Sequence, residues 1–229
     1  MNMQTQEFLE RCILKHNHSY LWKPEASINL EISSMSGLIP KLKGATKYFN
    51  KPLKVEVFPY NQKVLFRGNH DWGEVEYSKG NVIFKKDNSQ NSFNHRKNFN
   101  GINKLRLWSL QDTFYFFGYA LITYYSVPSI IKDLELVSEL TCGELKGFKV
   151  KFPEVFDTHC PVQSFFFDKS GLLVRHDYTA EIISKFSSGS HFTTNYIEKS
   201  GVLVAKTRIV KMRLGNWVTP LSVLKAHIK

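Results

Sequence analysis

From Ser27 onward apolar and polar side chains alternate with a period of two, in short runs broken by turn residues. Alternation of that kind is the signature of strands with one face buried and one face wet. The runs read SINLEIS, LKVEVFPY, KVLFRG, GEVEYS and NVIFKK in the first half. In the second half they read LELVSELT, FKVKFP, QSFFFD, GLLVRHDYTAEII, HFTTNYIE, VLVAKTRIVKM and WVTPLSVLKAHI. Turn signals such as Asp168-Lys169-Ser170-Gly171 and Glu198-Lys199-Ser200-Gly201 lie between consecutive runs. Many strands with short connections predict a mainly β (α+β) fold, a large curved antiparallel sheet or half-open barrel, and argue against βαβ units.

Three segments depart from the alternation. Residues 6–16 place Phe8, Leu9, Cys12, Ile13 and His16 on one helical stripe, which predicts an amphipathic helix. Residues 87–103 are polar and Asn-rich and read as a long loop. Residues 105–131 form an aromatic, apolar segment, expected to be a buried helix that ends before Pro128 and plugs the concave face of the sheet. Its Gly118, Thr123, Ser126, Pro128 and Ser129 argue against a transmembrane span. No Pro/Gly/Ser-rich stretch divides the 229 residues, so one domain is expected over 1–229: helix 6–16, meander 27–86, loop 87–103, plug 105–131 and meander 134–229.

Lys and Arg number 31 against 20 Asp and Glu, a formal charge of +11. The excess concentrates in residues 40–106 and 204–229, which permits a basic patch for an anionic partner. It equally fits lysines that keep sheet edges and faces soluble. Cys12, Cys142 and Cys160 are far apart in sequence and include no CxxC pair, so reduced thiols are expected rather than disulfides or a zinc site. Glu7, Glu10 and Arg11 occupy the stretch where a secretory signal would be apolar, and the expected location is the cytoplasm.

Two short strings resemble metal motifs. Gly68-Asn69-His70-Asp71 and Asp157-Thr158-His159 match pieces of binuclear metallophosphoesterases, but in the reverse order and among hairpins. No Walker A loop, GxGxxG, GxSxG or HExxH occurs, so neither a metal nor a cofactor is expected. Cys160 follows His159 directly, and side chains of adjacent residues in extended chain point to opposite faces, so Cys160 reads as a buried structural thiol.

The most informative stretch runs from Val155 to Ile183. Alternation puts Val174, His176, Tyr178, Ala180 and Ile182 on one face, and Arg175, Asp177, Thr179 and Glu181 on the other. Arg175 and Asp177 read as a sheet ion pair. His176 and Tyr178 lie on the apolar face, where their polar atoms need partners or a ligand. Asp157, His159 and Gln163 precede Phe165 and Phe167, while His191 and Asn195 share a face of the next strand. Convergence of these groups in an aromatic cavity would make a small-molecule site. The alternative is that each histidine is a hydrogen-bonded core or rim residue. Arg208 fits either face.

The segments GYALITYYSVPSII, DTHCPVQSFFFDKSGLLVRHDYTAEII and HFTTNYIEKSGVLVAKTRIV resemble a family of functionally uncharacterised bacterial proteins. Its motif series runs GYA-x-x-x-Y, P, FP, D-x-x-GLL-x-RHDY, HY and G-x-x-x-PT-x-R-x-V, and the match covers residues 105–212. Ala205 and Lys206 stand where that family tends to have Pro and Thr. The meander of D-x-x-G-x-L hairpins also resembles the LolA/LolB lipoprotein-carrier superfamily. That resemblance implies an open β-barrel closed by helices around a hydrophobic cavity that takes an acyl or other greasy molecule.

The expected function is therefore a soluble protein that holds a hydrophobic or aromatic small molecule. Phe116, Phe117, Tyr119, Tyr124, Phe165 and Phe167 would wall the cavity, and Tyr178, Gln163, His191 and Arg208 would orient polar atoms of the ligand. An enzyme of cyclase, isomerase or hydrolase type, with His176 or His159 and Asp157 as the proton-transfer pair, is the alternative. Non-specific nucleic-acid binding through the basic surface is a third reading, and no specific nucleic-acid partner is expected.

Overall fold

The computed structural model describes residues 3–49, 51–68, 71–85, 93–94, 104 and 106–229. The alternating runs become one antiparallel sheet in two meanders. The first comprises β1 (Ile28–Ser36), β2 (Leu53–Phe58), β3 (Lys63–Arg67), β4 (Val75–Ser78), β5 (Asn81–Phe84) and β6 (Phe93–Asn94). The second comprises β7 (Glu135–Cys142), β8 (Leu145–Lys151), β9 (Val162–Phe167), β10 (Leu173–Thr179), β11 (Ser188–Lys199), β12 (Val202–Leu214) and β13 (Trp217–Ile228). Pairing of β1 with β13 joins them, and the sheet order runs β6 to β1, then β13 to β7, with β6 and β7 as its two edges. The sheet is open rather than a closed barrel.

Turn chemistry sets the hairpins. Lys79-Gly80 and Ser200-Gly201 both have positive φ at each residue, the two-residue geometry that matches strand twist. In the turn between β9 and β10, Asp168 Oδ1 accepts from the Ser170 and Leu172 amides. This turn packs on α1 (Met3–His16), where Gly171 comes close to the backbone of Cys12.

Besides α1, the described residues form two further α-helices, α2 (Leu38–Leu42) and α3 (Leu110–Ser126). The sequence reading of 27–86 as a meander did not include α2 or the 3-10 turn at Ala45–Phe49. Helix α3 is the core of the plug expected over 105–131. It begins at a capping box in which Ser109 and Asp112 satisfy each other's backbone amides, with Arg106 on Asp112 at 2.7 Å. It ends at Ser126 because Val127, held extended, precedes Pro128. All of its residues except Leu110, Gln111 and Tyr124 are buried, which accounts for its apolar character around the whole circumference. No helix among the described residues is long and apolar enough to cross a membrane.

Three local readings change. The run through Ile183 leaves the sheet after Thr179, and Ala180–Ser187 form a turn, so Ala180, Glu181 and Ile182 do not continue the strand faces. A bulge between Leu173 and Arg175 places Leu173, not Val174, in the core. Asn195 has φ 55 and is exposed, so it does not share the buried face of His191; beyond it Tyr196 turns inward and bonds to Thr193. The expected loop 87–103 lies outside the described residues except for Phe93–Asn94, as do Asn69 and His70 of the GNHD string.

Candidate functional site

The polar residues singled out in the sequence fall into three groups around helix α3. The first is a wall of β9, β10 and β11. His176 stacks on Phe165 with ring centroids 4.4 Å apart and lies 4.8 Å from the ring of Tyr178. The Gln163 amide donates to Thr158 Oγ1 at 3.0 Å and to the Cys160 carbonyl at 2.7 Å. That leaves its Oε1 to accept from His176 Nε2 at 2.6 Å, which fixes the Nε2–H tautomer. His191 faces Tyr124 at 4.7 Å between ring centroids.

The second group is the 152–161 loop, which contacts both the first meander and α3. The Asp157 amide donates to Gln62 Oε1, Gln62 donates to the Val155 carbonyl, and the Tyr77 hydroxyl donates to the Asp157 carboxylate. His159 Nε2 lies 2.5 Å from the Tyr115 hydroxyl. Asp157 therefore sits against Tyr77 and Gly80 of the first meander, while His159 sits against Tyr115 and Tyr119 of α3. Cys160 donates its thiol to the Val162 carbonyl and is held protonated by burial.

The third group is Arg208. It is 6% exposed and faces inward, its guanidinium 4.3 Å from the centroid of Tyr124 and 5.7 Å from that of Tyr125. No carboxylate pairs with it among the described residues, and its Nε has no hydrogen-bond partner. Both ring nitrogens of His191, which is 1% exposed, also lack partners. Burial first, and then the positive field of Arg208, press the His176 pKa down to about 3 and that of His191 well below its ordinary value. Burial raises Tyr119 and Tyr178 well above the ordinary phenol range and Tyr124 to about 12. The histidines and tyrosines of the wall are thus neutral around Arg208.

Three spaces adjoin these groups. One of about 30 Å³, bordered by Tyr119, Tyr124, His159, Gln163, His176 and Tyr178, has room for little more than a water. A second of about 30 Å³ lies beside His191, Arg208, Tyr124, Phe117 and Leu224. The third, about 180 Å³, is apolar and is walled by Leu38 and Ile39 of α2, Phe116 of α3, Ile183, and Val210, Met212, Val223 and Leu224 of β12 and β13. Phe116 and Tyr178 border all three.

Structure thus brings together Gln163, Phe165, His176, Tyr178, His191, Tyr124, Tyr119 and Arg208. It does not bring Phe167 to them, since its ring packs on Phe8, Phe148 and His16 beneath α1. Of the apolar cavity's lining, sequence reasoning named Phe116 and Tyr178 but missed the residues from α2, β12 and β13. The signal available was on β12, where Val210 and Met212 continue the face of Arg208 at the strand period. Among the described residues no group of three or more His, Cys, Asp and Glu could hold a metal ion. On the first meander, Arg67 pairs with Glu56 at 2.8 Å and Glu74 at 2.5 Å, and Lys85 with Glu74 and Glu76 at 2.9 Å each, which reduces the field of that basic region.

No family model and no curated protein matches the chain. Among solved structures, it is similar to a LolA superfamily protein from Nitrosomonas europaea, with a TM-score of 0.53 and 8% identity over 98% of this chain and 90% of that one. A DUF1329 family protein from Desulfovibrio piger aligns with a TM-score of 0.42 and 10% identity over the same shares. The first likeness is one of fold.

Proposed function

We propose that this protein binds and carries a small apolar molecule in the cavity between α3 and the concave face of β11–β13. The observation that carries the reading is the cavity of about 180 Å³, walled mainly by apolar side chains with Ser187, Ser188 and Tyr178 at its border. An engineered apolar cavity of roughly 150 Å³ stays dry and takes benzene, so a space of this size suits an aromatic ring or an acyl segment. The LolA-like fold supports the same class of function, because its curved sheet and covering helices enclose apolar space.

What weighs against acid-base catalysis is the environment of the candidate groups. A general base works best with a pKa near the operating pH, and His176 is held near 3 by burial. Its partner is an amide rather than a carboxylate. The carrier is proposed to work in the cytoplasm, a setting that suits its three free thiols. Fluorescence titration with an apolar dye tests the function: micromolar binding that Met212→Trp abolishes is expected, and a dye that binds the Met212→Trp variant equally well would remove the cavity from the account.

A further inference from the structure

The cavity has a chemically distinct end. Strand β12 carries Arg208, Val210 and Met212 on the same face, so a line along the concave surface leads from a buried cation to the apolar space. At the usual rise per strand residue that line is roughly 13 Å long. The spaces at its two ends share Phe116, Tyr178, Val210 and Leu224 as walls.

A guanidinium taken out of water without a counter-charge is costly, and stacking on two tyrosines offsets only part of that cost. Beside it His191 has two unpartnered nitrogens, so its donor is unused, and among the described residues lining this end Arg208 alone is charged. We propose that the carried molecule is an amphipathic carboxylic acid, its carboxylate held by Arg208 and His191 and its apolar part passing Val210 towards Met212. This inference rests on the carrier reading. A carboxylate is favoured over a phosphate ester on two grounds. The space at Arg208 is about 30 Å³, and the planar guanidinium fork matches two carboxylate oxygens. A neutral head would leave Arg208 as uncompensated as it is in the free protein.

The test is calorimetric titration of the whole protein with decanoate, decanol and decyl phosphate. Decanoate is expected to bind on the order of tenfold or more tighter than decanol, as one charge-assisted hydrogen bond supplies. Decyl phosphate is expected to bind more weakly than decanoate. Arg208→Met should erase the preference for acid over alcohol. The comparison on the unmodified protein stands even if that variant folds poorly. Equal binding of acid and alcohol, or a preference that survives in a folded Arg208→Met protein, would overturn the carboxylate assignment and leave the carrier reading intact. Decyl phosphate binding as tightly as decanoate would overturn the choice of carboxylate. If no decyl compound binds, the carrier reading falls and this inference with it.

Discussion

Gly118 of α3 lies directly against the ring of Tyr77 on β4, so closely that a methyl group at residue 118 would overlap the ring carbons. Tyr77 in turn donates to Asp157, and the contact therefore ties the plug helix, the first meander and the 152–161 loop together. Gly118→Ala gains helix propensity of roughly 1 kcal/mol but must displace a fully buried ring. A net loss of about 1–3 kcal/mol is expected, seen as a drop of several degrees in melting temperature. A melting temperature unchanged or raised in Gly118→Ala would show that α3 is not seated on Tyr77.

Acid should destabilise the fold through its buried histidines. Burial lowers His16 and His176 to about 3 and His18 to about 4, against an ordinary value of 6.5. A folded-state pKa below the unfolded one means that the unfolded chain binds the extra protons. Stability is thus complete above about pH 6.5 and is lost as pH falls from there toward 4 for His18 and toward 3 for His16 and His176. Each of the three contributes about 2 kcal/mol of loss by pH 5. Urea midpoints measured from pH 7.5 to 5 should fall steeply, and a flat profile would contradict neutral burial of these rings.

His16 has a second role. Its Nε2 accepts from the Leu173 amide at 3.0 Å, next to the bulge in β10. His16→Ala leaves that buried N–H without a partner and opens space beside Tyr196, at a cost of about 2–4 kcal/mol in chemical denaturation. His16→Gln, which keeps an acceptor, should recover part of the loss.

The three thiols should differ sharply. Cys12 is fully buried with its pKa pushed up to about 12, Cys160 is buried and raised, and Cys142 is exposed beside Arg175 at 3.6 Å. Iodoacetamide is expected to modify Cys142 alone in the native protein and all three in urea. Early labelling of Cys160 would mean that the 152–161 loop opens readily.

The strand pattern was legible because one-sided burial forces a period of two, and the buried helix because Phe114–Tyr125 is apolar on every side. The bulge at Leu173–Arg175 was not, since it arises from the partner strand and from His16, distant in sequence. Phe165 and Phe167 show the same limit. Alternation puts them on one face, but which of them meets His176 depends on where α1 rather than α3 covers the sheet. Asp157 and His159 appeared as a pair because they are two residues apart, whereas they sit in a loop that hands one to Tyr77 and the other to Tyr115. Inward placement of Arg208 followed from no local rule.

The most direct test of the carrier account is native mass spectrometry of the protein purified from cells, beside a Val210→Trp variant, with organic extraction of each. The account predicts a stoichiometric apolar or amphipathic adduct on the unmodified protein and none on Val210→Trp, whose indole would fill the cavity between β12 and α3. An adduct retained by Val210→Trp, or an unmodified protein that stays empty and takes up no acyl or aromatic compound offered to it, would contradict it.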